Sequence, residues 1–107
     1  MKGDEFMALP GEIKRRNGNL EAILDGMISD NPIFKLQAIC GAVNNNVFNK
    51  AIKTQLERLT KDGEVVIGYS ISQLAIAALD RLADIRYEGR DQTIIELIKS
   101  RKWFEYN

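Results

Sequence analysis

Apolar residues recur three and four positions apart along most of the chain, which is the spacing of one face of an α-helix. The clearest such stripe consists of Leu20, Ile23, Leu24, Met27 and Ile28. Asn19 stands directly before the stripe, where its side chain can cap a helix, and the acidic Glu21 favours the first turn through the helix dipole. The pattern therefore predicts a helix that begins just after Asn19.

A second helix is predicted to begin at Pro32, because proline is favoured at the first helical position and Asn31 before it can act as the cap. Apolar residues surround most of the axis of this helix: Ile33, Phe34, Leu36, Ala38, Ile39, Cys40, Ala42 and Val43. A helix that is apolar on nearly all sides is buried on nearly all sides. We therefore expect it to be an inner helix of a layered structure.

Three more helices follow from the same spacing. Asn44–Asn46 break the pattern and supply a cap for a third helix, which is expected to end at Gly63. Its apolar face consists of Val47, Phe48, Ala51, Ile52, Leu56 and Leu59. Ser70–Gln73 has the form of a capping box that opens a fourth helix. A fifth helix follows Asp91 and carries Ile94, Ile95, Leu97 and Ile98.

These elements predict an all-α domain of five main helices arranged as stacked antiparallel hairpins. We expect residues 1–18 to be loosely ordered, apart from a short helix over Glu12–Arg16, and residues 19–107 to form the domain. Within it the helix pairs span 19–44 and 46–86, and a partial third repeat spans 91–107.

The chain repeats itself at the length of a helix pair. Leu24–Asp30 is echoed 32 positions later by Leu56–Asp62, and Phe34–Ala42 is echoed 37 positions later by Ile71–Leu79. The second copy therefore holds five extra residues in its connection, within 63–69. A repeat of this period is typical of stacked helix pairs that cannot bury their apolar faces alone.

Two degenerate motifs recur in the repeat: Leu-x-x-(Leu/Met)-x-x-Asp at the end of each first helix, and Ala-x-x-(Ala/Gly)-(Leu/Ala) in each second helix. The residues that carry them are Leu24, Met27, Asp30, Ala38, Gly41 and Ala42, then Leu56, Leu59, Asp62, Ala75, Ala78 and Leu79. Over residues 20–83 the chain thus resembles HEAT-like repeats, the helical hairpins of α-solenoid proteins. The basic residue usual in the second helix is present as Lys35 but replaced by Ser72 in the next copy.

The resemblance implies that small residues let the helices approach closely and that the aspartates lie in turns. It also implies a non-enzymatic protein–protein interaction module, such as an adaptor, a regulator or an immunity-type protein. In HEAT-like proteins the second helix of each pair lines the concave side. Carried over by position, the candidate partner contacts are Lys35, Gln37, Gln73, Asp80 and Arg81.

Composition narrows the chemistry. The chain of 107 residues has no histidine and one cysteine, so imidazole bases, histidine ligands and cysteine-based zinc sites are excluded. Cys40 lies in an apolar stretch and is expected to be a buried structural thiol. We predict no enzyme, no cofactor and no metal. Apolar runs such as Leu74–Leu79 are far short of the ~20 residues that span a bilayer, and a cytoplasmic location without membrane contact is the default.

The same residues allow a rival interpretation as a winged helix-turn-helix DNA-binding regulator, with 47–61 as the recognition helix. Lys50, Lys53, Arg58 and Lys61 against Glu57 give that helix a local charge of +3. Residues 59–67 would begin the wing, but a wing needs a second strand, and 68–69 leads directly into the helix opened by Ser70. The formal net charge of zero is also unlike that of a DNA-binding protein. We therefore favour the helical repeat and do not expect nucleic acid as partner.

Aromatic residues crowd the end of the chain at Trp103, Phe104 and Tyr106. They follow the apolar layer of the fifth helix, which is unpaired at the open end of the stack. The aromatic residues either cover this layer within one chain or bridge it to a second copy in a closed twofold dimer. Trp103 and Tyr106 are therefore candidate partner contacts, and both a monomer and a homodimer through the C-terminal end stay open.

Overall fold

The structure, a computed structural model, describes residues 11–83 and, beyond them, Ile94, Glu96 and Ile98. Residues 11–83 contain five helices: α1 (Glu12–Arg16), α2 (Leu20–Met27), α3 (Pro32–Asn44), α4 (Lys50–Leu59) and α5 (Ile71–Leu82). A two-stranded antiparallel hairpin, β1 (Val65–Val66) and β2 (Tyr69–Ser70), lies between α4 and α5. The predicted all-α class is confirmed, with this small hairpin added.

The helix starts follow the predicted caps at three of the boundaries. The Asn19 side chain accepts a hydrogen bond from the amide of Ala22 at 2.9 Å, and the Asn31 side chain accepts one from Ile33 at 2.9 Å. Ser70 opens α5 with both halves of a capping box present. These side chains satisfy amide groups that the first turn of a helix leaves without a partner.

The start of α4 differs from the prediction. The apolar pattern placed it at Val47, whereas the helix begins at Lys50 and ends at Leu59. Asn46 adopts a left-handed backbone conformation, with φ at 53°, which interrupts helical geometry. Asn49 therefore acts as the cap, and Val47 stays in the connection, half-buried against the core.

Packing joins the helices in two consecutive pairs. Helix α2 packs against α3, and α4 packs against α5. The two pairs also contact each other. The second helices of the pairs, α3 and α5, pack together, and so do the first helices, α2 and α4. Helix α3 is the inner helix that the sequence predicted, because every residue from Lys35 to Ala42 is buried.

Helix α1 is part of this packing. It lies against α3 and α2, and its side chains Glu12 and Arg15 are buried. The sequence predicted the short helix at its observed bounds, but it placed the helix in a loosely ordered segment outside the domain. The structure attaches residues 11–18 to α3 through polar contacts that apolar periodicity does not reveal.

Ile94 and Ile98 are buried in the same core as α2 to α5. The Asn44 side chain at the end of α3 donates a hydrogen bond to the carbonyl oxygen of Ile98 at 2.7 Å. At these two positions the predicted apolar layer thus faces inward. The neighbouring Ile95 and Leu97 side chains lie outside the described residues. Over the part of the chain that the structure describes, the helices are too short or too polar to cross a membrane.

Candidate interaction surface

Lys35, a predicted partner contact, is buried at the start of α3. Its ammonium group donates hydrogen bonds to Asp62 Oδ2 at 2.6 Å and to Glu64 Oε1 at 2.7 Å. Asp62 and Glu64 lie in the connection between α4 and β1, so the cluster joins the first helix pair to the second. Lys35 is therefore engaged in contacts within the chain, and little of it is accessible to a partner.

The ion cluster shifts the pKa values of Lys35 and Asp62 in the directions that favour their charged forms. Burial works to lower the pKa of Lys35, but the hydrogen bonds to Asp62 and Glu64 outweigh it, so the pKa is raised above its ordinary value. Burial likewise works to raise the pKa of Asp62, but the bond from Lys35 and the backbone amide of Glu64 lower it. Lys35 and Asp62 are therefore both charged at neutral pH.

Gln37, another predicted contact, is fully buried between α3 and α1. Its side-chain oxygen accepts hydrogen bonds from Arg15 Nε at 3.0 Å and Nη2 at 2.8 Å, and its amide group donates to Glu12 Oε1 at 3.4 Å. The Arg15 guanidinium also lies over the Phe34 ring, 4.5 Å from its centroid. These contacts attach α1 to the rest of the domain.

Gly41 makes the close approach of α1 and α3 possible. A Cβ atom at this position would collide with the carbonyl oxygen of Arg15. The sequence pattern grouped Gly41 with the small residues that let helices approach each other. In the structure the element that approaches it is the end of α1, which the repeat pattern did not include.

The remaining predicted contacts lie on α5 or beyond it. Gln73 and Arg81 are exposed, and Gln73 also takes part in the capping box with Ser70. Asp80 is buried. Of the predicted set, Gln73 and Arg81 are thus accessible to a partner, whereas Lys35, Gln37 and Asp80 face inward. Trp103 and Tyr106 lie outside the described residues.

The hairpin presents a surface that the sequence analysis did not identify. Residues alternate along it, with the side chain of Val66 buried while Val65 is 66% exposed and Ile67 is 38% exposed. Its base is fixed, because the Ile71 amide donates to the Glu64 carbonyl oxygen at 2.8 Å. The available signal was the run of β-branched residues followed by a glycine and a tyrosine, which is typical of strands joined by a tight turn.

The tip of the hairpin has an unusual backbone. Ile67 has φ at 46° and Gly68 has φ at 87°, so both central residues of the turn are left-handed, as a type I′ turn requires. Glycine and asparagine adopt this conformation readily, whereas a β-branched residue does so at an energetic cost. Ile67 is therefore a strained residue at an exposed position.

The geometry bears on the winged-helix interpretation in two ways. The hairpin supplies the second strand that the sequence did not reveal. However, α4 packs against α5 and α2, whereas α3 packs against α1, α2 and α5, so α3 and α4 do not form the compact bihelical unit of a helix-turn-helix. Arg58 of the presumed recognition helix donates a hydrogen bond to the Met27 carbonyl oxygen at 2.9 Å, which directs it to α2.

The described residues offer little reactive chemistry. Cys40 is buried as predicted, and burial raises the pKa of its thiol well above its usual range, so the thiol stays protonated. Within residues 11–83 together with 94, 96 and 98, no group of three or more cysteine, aspartate or glutamate side chains is placed to hold a metal ion.

Comparison with protein-family models, curated proteins and solved structures gave no match to this chain.

Proposed function

We propose that this protein is a non-enzymatic protein-interaction module of HEAT-like helical-repeat type, acting as an adaptor, a regulator or an immunity-type protein. The observation that carries the proposal is which side chains are buried and which are exposed. Polar groups such as Lys35 and Gln37 are committed to internal contacts, while the apolar Val65 and Ile67 of the hairpin are exposed. Exposed apolar groups contribute to protein binding when a partner covers them.

The packing of α2 on α4 and of α3 on α5 supports the HEAT-like part of the proposal. The ion cluster of Lys35 with Asp62 supports it further, because it connects consecutive pairs through the turn aspartate. In this arrangement α3 and α5 form one layer, and Arg81 is an exposed residue of that layer. A cytoplasmic location, the default for this chain, is part of the proposal.

Affinity purification of the tagged chain from its native host, with identification of the proteins and of any nucleic acid that copurify, tests the proposal. We expect a specific protein to copurify, and we expect its amount to decrease when Arg81 on α5 is replaced in Arg81→Glu. Lys50→Glu is the matched control, because it reverses an exposed charge on α4 instead. Recovery of nucleic acid alone would contradict the proposal.

The hairpin after α4 favours one second candidate, the winged helix-turn-helix regulator. That function predicts measurable affinity for duplex DNA that falls steeply as salt rises, because lysine contacts to phosphates release counterions. Lys50→Glu should then weaken DNA binding, and Arg81→Glu should leave it unchanged. The two charge reversals thus separate the two functions by opposite outcomes.

A further inference from the structure

Val65 and Ile67 form an apolar projection at the end of the hairpin, which we call the hairpin tip. Single apolar residues on a protein surface are ordinary, but these two are only two positions apart and both are exposed. Val66 between them is buried, and Glu64 before them is held by Lys35. The residues that flank the exposed side chains are therefore fixed to the rest of the domain.

The backbone of the tip makes isoleucine an unexpected residue at position 67. The conformation of Ile67, with φ at 46°, is one that asparagine or glycine adopts more easily. Ile67 is 38% exposed, so part of this apolar residue stays uncovered in the folded chain and is accessible to a partner. Strain kept at an exposed site is typical of contact residues.

The charge beside the tip indicates the chemistry of what covers it. The Lys35, Asp62 and Glu64 cluster carries a net charge of −1, and the Glu64 side chain is 45% exposed, so this carboxylate is open to a second cation. A partner that covers Val65 and Ile67 would bring its own side chains close to Glu64. A lysine or arginine there would be attracted to the cluster.

We propose that the hairpin tip binds a protein segment in which apolar side chains lie next to a lysine or arginine. The apolar side chains cover Val65 and Ile67, and the basic residue pairs with Glu64. The inference rests on the proposed function as an interaction module, and it adds the surface and the chemistry of the partner.

A second copy of this chain fits the tip less well. Two exposed side chains are far from the roughly 800 Å² per partner that a stable interface buries. A twofold arrangement of two tips would also bring one Glu64 towards the other, and like charges at close range oppose association. A segment that wraps around the tip covers more of it and can supply the missing positive charge.

A phage-displayed library of random linear peptides, selected on the full chain, tests the inference. We expect the enriched peptides to combine apolar residues with lysine or arginine. Synthetic copies should bind Ile67→Asn at least about tenfold more weakly, as expected for a residue at the centre of a contact. Glu64→Gln, which can still accept from Lys35, should weaken binding by about two- to fivefold and reduce its salt dependence.

Leu20→Asn is the matched control, because it makes the same kind of change at an exposed apolar residue at the start of α2. It should leave peptide binding unchanged. Thermal unfolding checks that Ile67→Asn is folded, and Val65→Thr, which suits a strand, provides a second tip variant with the same expected loss of binding.

Three outcomes overturn the inference. The first is a selection that yields no peptide with a higher affinity for the native chain than for Ile67→Asn. The second is enrichment of peptides whose binding depends on Arg81 and not on the tip, which leaves the proposed function intact. The third is tip-dependent binding to neutral phosphatidylcholine vesicles, which would make the tip a membrane contact. Failure of the proposed function has its own sign, the recovery of nucleic acid alone on copurification.

Discussion

Helix α3 and the β1–β2 hairpin use their side chains in opposite ways. In α3 the polar Lys35 and Gln37 are buried with partners from other elements, whereas in the hairpin the apolar Val65 and Ile67 are exposed. Polar groups inside α3 fix the positions of α1 and of the hairpin base. The difference indicates that the polar groups of α3 contribute to stability inside the domain, whereas Val65 and Ile67 leave apolar surface that the folded chain does not fully cover.

The same kind of truncation in the two regions gives the largest expected contrast. Ile39→Ala removes a fully buried side chain of α3 and should lower the free energy of unfolding by about 2–5 kcal/mol. Val65→Ala removes an exposed side chain and should change it by less than about 0.5 kcal/mol. Chemical denaturation of both variants measures the difference. Equal losses would mean that the hairpin is as important to stability as α3.

A glycine substitution tests the close contact between α3 and α1. Gly41→Ala should lower the free energy of unfolding by about 1–3 kcal/mol, because the added methyl group collides with the Arg15 backbone. Gly63→Ala beside the hairpin is the control, since open space surrounds its Cβ position. Denaturant titration that finds both variants as stable as the parent would contradict the packing of α1 on α3.

The cluster of Lys35, Asp62 and Glu64 connects α3 to the base of the hairpin, and the stabilisation that it provides depends on pH. The pKa of Asp62 is lower in the folded state, so its stabilisation is complete above the ordinary value of about 3.9 and is lost as pH falls through the lowered pKa. The pKa of Lys35 is higher in the folded state, so its stabilisation is present below about 10.4 and is lost as pH rises through the raised pKa.

Asp62→Asn should therefore lower stability at neutral pH by about 1–2 kcal/mol and flatten its decrease below pH about 4. Melting temperatures recorded across pH measure both effects. Glu57→Gln is the control, because this carboxylate is exposed on α4. If the melting temperatures of Asp62→Asn and the parent decreased equally at acid pH, the cluster would not contribute to the pH dependence of stability.

The smallest expected effect on stability has the opposite sign. Ile67→Asn should raise the free energy of unfolding by about 1 kcal/mol, because asparagine before glycine is the favoured pair in a type I′ turn. The melting temperature should increase by roughly 4 °C. Calorimetry checks this, with Leu20→Asn as the comparison variant. A decrease would mean that Ile67 contributes packing energy that outweighs its backbone strain.

The sequence allowed prediction of those features that depend on local chemistry. Asn19, Asn31 and Ser70 cap helices within their own first turns, and the continuous apolar surface of α3 marks it as the inner helix. The burial of Lys35 and Gln37 could not be predicted, because it depends on Asp62 and Arg15, which are 27 and 22 positions away.

The hairpin was missed for a different reason. Its strands are two residues each, too short for an alternating pattern, and the turn contains isoleucine where asparagine or glycine is expected. The repeat comparison identified the extra residues at 63–69 but not their structure. The candidate site on the hairpin thus lies where the chain departs from its own repeat.

Cys40 has a practical consequence for measuring how this domain opens. It is the sole thiol in the chain and lies fully buried in α3, so an alkylating reagent reaches it only when the surrounding helices separate. The rate of alkylation under native conditions therefore reports the population of opened molecules without any engineered label. Comparing that rate with the global unfolding equilibrium would show whether α3 separates from its neighbours alone or only when the whole domain unfolds.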